Sequence, residues 1–168
     1  MFGRARRLTP TLTAGEVLLP ARLRAEIEAE AREWAPKETG GMLVGYRTAR
    51  DGLMTIVITG TIDAGPGARR ARWRFVPDGR WQQRELEKLY KRSGRITTYL
   101  GDWHSHPRGV PTPSAVDRRT YARVAAEGDT GTDMPLVLIV ATGRHAGIAA
   151  FGIAADQTSS AFELRSCE

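Results

Sequence analysis

The sequence has little sulfur and none of the long apolar runs on which exported and membrane-anchored proteins depend. Cysteine occurs once among 168 residues, at Cys167, so no internal disulfide can form and a reducing compartment, the cytoplasm, is the expected location. The first residues are basic but include no apolar stretch of signal-peptide length, and no later stretch approaches the ~20 apolar residues of a membrane span. We therefore expect neither export nor a membrane anchor.

The composition also lacks the bias of a disordered chain or a repeat array. Hydrophobic residues make up 41% and charged residues 26% of the sequence, close to the averages of globular domains. A chain of this length can bury a sizeable core as one domain. Because the first residues are polar, basic and without periodicity, we predict a flexible arm over residues 1–15 and a single domain over residues 16–168.

Positive charge is in moderate excess. Lys and Arg number 25 against 19 Asp and Glu, for a formal net charge of +6, which is compatible with a polyanionic or acidic protein partner. The sequence shows neither a recognition helix nor an aromatic stacking motif of the kind that nucleic-acid-binding modules carry. We therefore do not expect nucleic acid as the partner.

Helix and strand patterns are intermixed without strict alternation. A mixed α/β (α+β) sheet with helices packed on it is therefore favoured over a doubly wound parallel sheet. Asp51 and Gly52 predict a hairpin turn, and residues 63–79 an arginine-rich loop. The predicted helices are 20–35, with Leu23, Ile27, Ala31 and Trp34 on one face; 81–94, with Leu86, Leu89 and Tyr90 facing inward; and one that opens at Ser114. The predicted strands are 16–19, 40–46, 53–62, 96–106, 135–142, 146–154 and 161–165.

Two of the three histidines stand two residues apart in the stretch GDWHSHPRGVPTPSAVD, residues 101–117. Side chains two residues apart on a strand point to the same face, so His104 and His106 converge while Trp103 and Ser105 point the other way. A catalytic zinc site takes three protein ligands and leaves a fourth position for water. The histidine pair therefore lacks one ligand.

Asp117 is the candidate for the third ligand. After Pro107 a Gly/Pro-rich turn leads to a helix that opens at Ser114, and its first turn brings Asp117 back toward the end of the strand. The same residues also fit interpretations without a metal. Ser114 and Asp117 have the spacing of a capping box, and paired histidines on a half-buried strand can simply be hydrogen-bonded. Residue types and spacing leave these alternatives open.

The whole stretch resembles the signature HxHPxxxxxxSxxD of the JAMM metalloproteases, also called the MPN+ or JAB1/Mov34/PAD-1 domain. The residues that match every fixed position and spacing are His104, His106, Pro107, Ser114 and Asp117. In that family a distant glutamate precedes the signature, and the segment ETGGMLVG, which begins at Glu38, resembles the one that carries it. The resemblance covers most of the chain. It implies a JAB1/MPN-like (cytidine-deaminase-like) fold, a curved mixed β-sheet packed with about three helices.

The resemblance also implies a role for each residue. His104, His106 and Asp117 would bind one zinc ion, Glu38 would deprotonate water, and Ser114 would help to stabilise the tetrahedral intermediate. Zinc lowers the pKa of its water to roughly 7 and polarises a carbonyl, while a carboxylate carries the proton from water to the leaving amine. Spacing alone does not select Glu38 from the other glutamates nearby, which are Glu16, Glu26, Glu28, Glu30 and Glu33.

Some residues near the motif have more than one explanation. Asp102 stands where better-known eukaryotic members often carry an aromatic or apolar residue; it could accept a hydrogen bond behind the ligands, contact the metal or be exposed. Gly40 and Gly41 fit either a close backbone approach to the site or a tight turn. His145 is expected to be a solvated loop residue. Cys167, next to the end of the sequence, is a poor candidate for a nucleophile.

The resemblance implies a protein substrate as well. Members cleave peptide or isopeptide bonds after the C-terminal tail of ubiquitin or a ubiquitin-like protein, and such a tail can dock along a strand edge. Residues 63–79 and 127–133 are the candidates for contact with it. A merely solvated charge run is the favoured interpretation of the arginines in the first segment, which are Arg69, Arg70, Arg72 and Arg74.

The segments WRFVPDG, QQRELEKLY and YLGDWHSHP resemble a short bacterial branch of the family that includes deconjugating proteases of CBASS antiphage operons. There the resemblance implies removal of a target from the C-terminus of a nucleotide-cyclase-like enzyme, after E1/E2-like proteins have joined the two. Processing of a ubiquitin-like sulfur carrier is one alternative. A catalytically inactive MPN scaffold is another, against which the intact ligand set and Glu38 argue. The expected protein is a bacterial, cytoplasmic zinc isopeptidase.

Overall fold

The computed structural model describes residues 15–50, 52–128 and 131–168. The arm predicted for residues 1–15 lies outside this range except for Gly15, and so does Asp51 of the predicted hairpin turn. The elements in chain order are β1 Glu16–Pro20, α1 Ala21–Trp34, β2 Gly40–Arg50, β3 Leu53–Ile62, β4 Arg69–Ala71, β5 Arg74–Val76, α2 Gly79–Arg92, β6 Thr98–His106, α3 Ala115–Glu127, β7 Leu136–Ala141, β8 Gly147–Ile153 and β9 Ser159–Cys167.

Seven of the strands form one mixed sheet in the order β1-β3-β2-β6-β7-β8-β9. The hairpin β2–β3 is antiparallel as predicted, whereas β6 and β7 are parallel neighbours. Strand β1 pairs in parallel with both β3 and β9, so the sheet closes into a barrel. The predicted mixed sheet with three helices is confirmed, and its curvature extends to complete closure.

Both faces of the sheet are buried near its middle. In β7, Leu136, Leu138 and Val140 contribute to the main core, whereas Val137 and Ile139 face the opposite side and pack with residues of α3 and β8. Because neither face meets water, all six residues of this strand are apolar and buried.

The helices divide between the two faces. Helix α1 adds Leu23, Ile27 and Ala31 to the main core, at the predicted spacing. On the other face, Leu86 and Leu89 of α2 pack against a second core cluster. Beside this second cluster, the end of β6 and the start of α3 line an open cavity.

Two predictions about this region are wrong. Tyr90 was expected to face inward but is 39% exposed, because the buried stripe of α2 follows Gln82, Leu86 and Leu89 and Tyr90 lies one position further around the helix. Residues 63–79 were expected to form a loop but contain the small two-stranded sheet β4–β5, which we call the arginine hairpin.

Candidate metal centre and its cavity

The two motif histidines lie on the same face of β6. His104 Nε2 and His106 Nε2 are 3.0 Å apart, while Trp103 between them is 2% exposed and belongs to the main core. Ser105 points to the same side as Trp103 and is fully buried. The alternation predicted from the sequence is therefore confirmed.

Asp117 approaches both histidines from the first turn of α3. Its Oδ1 lies 3.3 Å from His104 Nε2 and its Oδ2 lies 3.4 Å from His106 Nε2. The capping box is present as well: the Asp117 N–H donates to Ser114 Oγ at 3.1 Å, and the Ser114 N–H donates to Asp117 Oδ2 at 2.7 Å. The capping interpretation and the ligand interpretation are thus compatible, because the cap holds the carboxylate where the imidazoles converge.

The spacing of these donor atoms fits a small tetrahedral ion. Ligand atoms ~2.0–2.1 Å from a tetrahedral zinc are roughly 3.3 Å from one another, and the three separations measured here are 3.0, 3.3 and 3.4 Å. His106 Nδ1 lies 3.0 Å from the Val110 carbonyl oxygen. Since a carbonyl can only accept, Nδ1 carries a proton, and in the neutral form of the ring Nε2 would present its lone pair to the cluster.

The carboxylate of Asp117 and the motif histidines stabilise the charged forms of one another. Burial alone would raise the pKa of Asp117, but hydrogen bonds with His104, His106 and Ser114 hold that pKa well below its usual range. Burial opposes the charged form of His106, yet the Asp117 carboxylate and the Val110 carbonyl raise its pKa overall. The site therefore presents an ionised carboxylate between two imidazoles, the donor set that zinc takes.

Glu38 lines the same cavity and lies two residues before β2, the strand next to β6. Its N–H donates to the Ala71 carbonyl at 2.8 Å, and the following residue, Thr39, exchanges two hydrogen bonds with Ser105. Strand β2 then begins with Gly40 opposite His104. Burial raises the pKa of Glu38, the two motif histidines oppose that rise and Asp117 adds to it, so Glu38 is a stronger base than an ordinary glutamate.

Gly40 and Gly41 lie within β2, paired with His104 and Trp103, so the tight-turn interpretation is wrong. A side chain at Gly40 would collide with the Trp103 carbonyl oxygen and come within 2.8 Å of the Phe75 ring. A side chain at Gly41 would lie 2.7 Å from the Ile62 carbonyl oxygen. Glycine is needed here because β6, β3 and the arginine hairpin approach the strand too closely for a Cβ atom.

Asp102 is half-buried on the wall of the cavity and outside the metal cluster. Its Oδ2 accepts a hydrogen bond from the Tyr99 hydroxyl at 2.8 Å. Burial raises the pKa of Asp102 to about 6, against the lowering effect of Tyr99 and of His104. The Tyr121 ring stacks on the His104 ring with 6.3 Å between the ring centroids. Asp102 thus accepts a hydrogen bond from Tyr99, which lies outside the metal cluster, and its role behind the ligands stays a prediction.

The cavity that contains these residues has a volume of about 500 Å³, within the range of ligand sites. Its lining also includes residues outside the predicted zinc site, namely Trp73, Phe75, Pro77, Thr120, Tyr121 and Val124. The first three lie in residues 63–79, a segment that the sequence analysis gave as a candidate for substrate contact. The side chains from α3 follow a helical spacing after Asp117, but no chemical signal in the sequence set them apart.

Other candidates from the sequence lie away from the cluster. His145 is exposed in a turn, as expected, and Cys167 lies in β9 opposite Pro20. Neither residue lines the cavity, and among residues 127, 128 and 131–133, the described part of the second candidate segment, none lines it either. Of the two candidate segments, only the arginine hairpin and its flanks border the cavity.

The closed mixed barrel thus carries two imidazoles at the end of β6 and a carboxylate in the first turn of α3. The chain belongs to the Prok-JAB family, prokaryotic homologs of the JAB domain, whose model matches residues 20–154. The resemblance inferred from the motif is thereby confirmed. No helix in the described ranges is both long and apolar enough to cross a membrane.

Three relatives show the kind of protein in which this domain occurs. The chain is 36% identical over 115 residues, 68% of each chain, to the probable metalloprotease y4qB of Sinorhizobium fredii. It is 34% identical over 86 residues to a CD-NTase/cGAS isopeptidase of Vibrio cholerae, covering 51% of this chain and 53% of the relative. It is 31% identical over 103 residues, 61% of each chain, to a CD-NTase/cGAS isopeptidase of Escherichia coli. The chain thus spans about half to two thirds of these relatives.

A solved structure shows the same fold. The solution structure of protein DSY2949 from Desulfitobacterium hafniense matches with a TM-score of 0.67 over 90% of this chain and 93% of that chain, at 22% sequence identity. This likeness concerns the architecture, and the chemistry rests on the site itself.

Proposed function

We propose that the protein is a zinc-dependent isopeptidase that hydrolyses the bond after the C-terminal tail of a ubiquitin-like protein or of a conjugated bacterial protein such as a CBASS cyclase. The observation that carries the proposal is the convergence of His104, His106 and Asp117 in one cavity with Glu38 and Ser114. The names of the relatives, a probable metalloprotease and two CD-NTase/cGAS isopeptidases, support it. The cytoplasmic location and the single domain over 16–168 stay predictions from the sequence.

In this proposal His104 Nε2, His106 Nε2 and the Asp117 carboxylate hold the metal. When bound, zinc supplies Lewis acidity, which makes a water molecule easier to deprotonate and a carbonyl easier to attack. The protein's contribution is to fix the ligands before the ion arrives. The Val110 carbonyl sets the tautomer of His106, and the Ser114 cap fixes the carboxylate.

Glu38 is the proton carrier of the proposed reaction. Its carboxylate takes a proton from the attacking water as the water oxygen bonds to the carbonyl carbon. When the C–N bond breaks, the same proton passes to the departing amine nitrogen, and Glu38 returns to its ionised form. The raised pKa of Glu38 suits both halves of this exchange, because the group must accept a proton and then release it.

In the proposed reaction, Ser114 stabilises the negative charge that develops on the carbonyl oxygen. Its Oγ already accepts a hydrogen bond from the Asp117 N–H, which leaves the hydroxyl hydrogen free to donate. Ser114 lines the same cavity as Glu38. A donor held in place before the reaction lowers the barrier more than one that must reorient.

The test combines metal content with cleavage of a CD-NTase joined to a target through its C-terminus. The wild-type protein should contain one zinc per chain by mass spectrometry, and chelation should abolish cleavage while alkylation of Cys167 spares it. Glu38→Gln should keep the zinc and lose on the order of 10²–10⁴ in rate, whereas His104→Ala should lose the zinc. Glu33→Gln, on the exposed side of α1, is the matched control.

Cleavage that survives in both Glu38→Gln and His104→Ala would contradict the assignment. A precursor of a ubiquitin-like sulfur carrier serves as the second substrate in the same assay. Preference for that precursor over the cyclase conjugate would keep the chemistry and reject the proposed substrate.

A further inference from the structure

Three arginines stand at the mouth of the metal cavity without an acidic partner. Arg72 and Arg74 belong to the arginine hairpin, and Arg108 follows β6; all three are exposed and line the cavity. Within the described part of the chain none of the three forms an ion pair or a side-chain hydrogen bond. Their charges are therefore available to a molecule that enters the cavity.

Arg70, in the same hairpin, differs from these three arginines because its guanidinium group contacts other side chains. Its guanidinium carbon lies 4.1 Å from the centre of the Trp34 ring, and its Nε donates to Thr39 Oγ1 at 2.9 Å. A second guanidinium nitrogen of Arg70, Nη2, lies 3.9 Å from Glu30 Oε1. Because these contacts attach Arg70 to α1 and to Thr39, just before β2, the hairpin that carries Arg72 and Arg74 is anchored at its first strand.

Trp73 lies between the two free arginines and is 75% exposed. It also lines the cavity. A large aromatic side chain beside unpaired arginines is the composition typical of binding surfaces. Among the described residues, the three acidic groups that line the same cavity, Glu38, Asp102 and Asp117, form no ion pair with these arginines.

We propose that Arg72, Arg74 and Arg108, here called the arginine rim, select substrate segments that carry Asp or Glu side chains beside the scissile bond, with Trp73 covering the bound backbone. The inference rests on the proposed function and names the chemistry of the segment that the site accepts. Guanidinium groups match carboxylates in geometry as well as charge. A peptide is favoured over nucleic acid because one exposed aromatic ring, Trp73, lies beside the rim, whereas single-stranded nucleic acid is bound on a series of stacking rings.

Binding is measured first, on full-length Glu38→Gln protein so that no cleavage intervenes. The probes are fluorescein-labelled peptides of about twelve residues in which the same few positions are Glu, Gln or Lys, and anisotropy gives Kd at low salt. The Glu peptide should bind on the order of tenfold more tightly than the Gln peptide, and the difference should shrink as salt is added. Equal binding of the Glu and Gln peptides would overturn the inference.

The rim is tested with a charge-matched pair of variants. Arg72→Glu/Arg74→Glu should weaken binding of the Glu peptide about tenfold and favour the Lys peptide. Arg69→Glu/Arg84→Glu makes the same change in net charge on exposed residues that do not line the cavity, and it should change Kd less than about twofold. Equal losses in the two variants, or tighter rim-dependent binding of a single-stranded DNA of similar length, would reject an acidic-peptide site.

Cleavage of the cyclase conjugate then separates this inference from the proposed function. In protein that retains Glu38, the substitutions Arg72→Glu/Arg74→Glu should raise KM for the conjugate, while zinc content and kcat stay close to those of the wild type. Rim-dependent peptide binding without any cleavage by the wild type would reject the isopeptidase assignment alone. Cleavage that is insensitive to reversal of the rim would reject the rim alone.

Discussion

Ser105 lies between the two histidines in sequence but on the opposite face of β6. Its Oγ accepts a hydrogen bond from the Thr39 N–H at 2.9 Å, and its own N–H donates to the Thr39 carbonyl at 2.8 Å. Both residues are fully buried, so no water can replace these partners cheaply. Because Thr39 follows Glu38, this pair of hydrogen bonds fixes the backbone that carries the proposed base.

Ser105→Ala tests whether this contact positions Glu38. The substitution leaves the buried Thr39 N–H without its acceptor, which should lower the free energy of unfolding by about 1–3 kcal/mol. We expect kcat to fall and zinc content to stay at one per chain, since no ligand is changed. Urea unfolding, mass spectrometry and steady-state kinetics measure the three quantities. Ser159→Ala, at an exposed position of β9, should change none of them.

Asp102 supplies a prediction about pH. Its pKa of about 6 in the fold exceeds the ~3.9 of an unfolded aspartate, so between about pH 4 and 6 the folded state binds more protons. The contribution of Asp102 to stability is therefore fully present below pH 4 and is lost as the pH rises through 6. Asp102→Asn, which keeps an acceptor for Tyr99, should be about 1–2 kcal/mol more stable than wild type at pH 8.

The measurement is urea unfolding of metal-free protein across this pH range. The difference between Asp102→Asn and wild type should close toward pH 4. A difference that stays constant with pH would show that Asp102 does not titrate in the fold as described. Asp133→Asn, at an exposed position, is the control for loss of one carboxylate.

Single residues also show where sequence reasoning ends. The convergence of His104, His106 and Asp117 was predictable because the periods of a strand and of a first helical turn act over a few residues. Their role as metal ligands stays a prediction. Glu38 could not be chosen by spacing, because its position depends on the pairing of β2 with β6. Its assignment came from the family resemblance, and the structure brings it to the same cavity.

Among the elements, the arginine hairpin departs most from its prediction. Its strands β4 and β5 have three residues each and lack the run of β-branched residues that signals a strand. What holds the hairpin is tertiary: Arg70 over Trp34, and the Ala71 carbonyl accepting from the Glu38 N–H. Longer elements with regular apolar spacing, such as α1 and β7, were found near their predicted positions.

Arg70→Ala is expected to loosen the hairpin without disturbing the metal. It removes a cation–π contact and a hydrogen bond, worth together about 1–2 kcal/mol. Hydrogen exchange should accelerate over residues 69–76, and KM should rise while zinc content stays unchanged. Arg69→Ala removes a neighbouring arginine that is exposed and should leave exchange and KM as in wild type. Unchanged exchange in Arg70→Ala would show that Arg70 does not anchor the hairpin.

For the molecule as a whole, closure of the barrel joins the two ends of the described fold. Strand β9 pairs with β8 on one side and with β1 on the other, where Val17 lies opposite Leu164. This pairing could not be predicted from the sequence, because no local pattern specifies a partner so distant along the chain. The mixed sheet was predictable from the elements, but its closed form was not.

Phe162→Ala tests how far the fold depends on that closure. Phe162 is 6% exposed and belongs to the main core, so its loss should lower the free energy of unfolding by about 3–5 kcal/mol. Urea unfolding followed by circular dichroism measures the loss. Glu163→Ala, one residue along on the exposed side of β9, should cost less than about 0.5 kcal/mol. A small effect of Phe162→Ala on the free energy of unfolding would mean that β9 contributes little to the stability of the barrel.

The distance along the sequence between Glu38 and the histidine motif has a consequence for the order in which the site is assembled. The three ligands lie on one short piece that runs from β6 into α3, while Glu38 joins them only when β2 docks with Gly40 opposite His104. In the proposed protease, the pairing of β2 with β6 must therefore be complete before the proton carrier and the three candidate ligands share one cavity. Proteolytic activity is thus expected to appear only after the long-range contacts of the fold have formed.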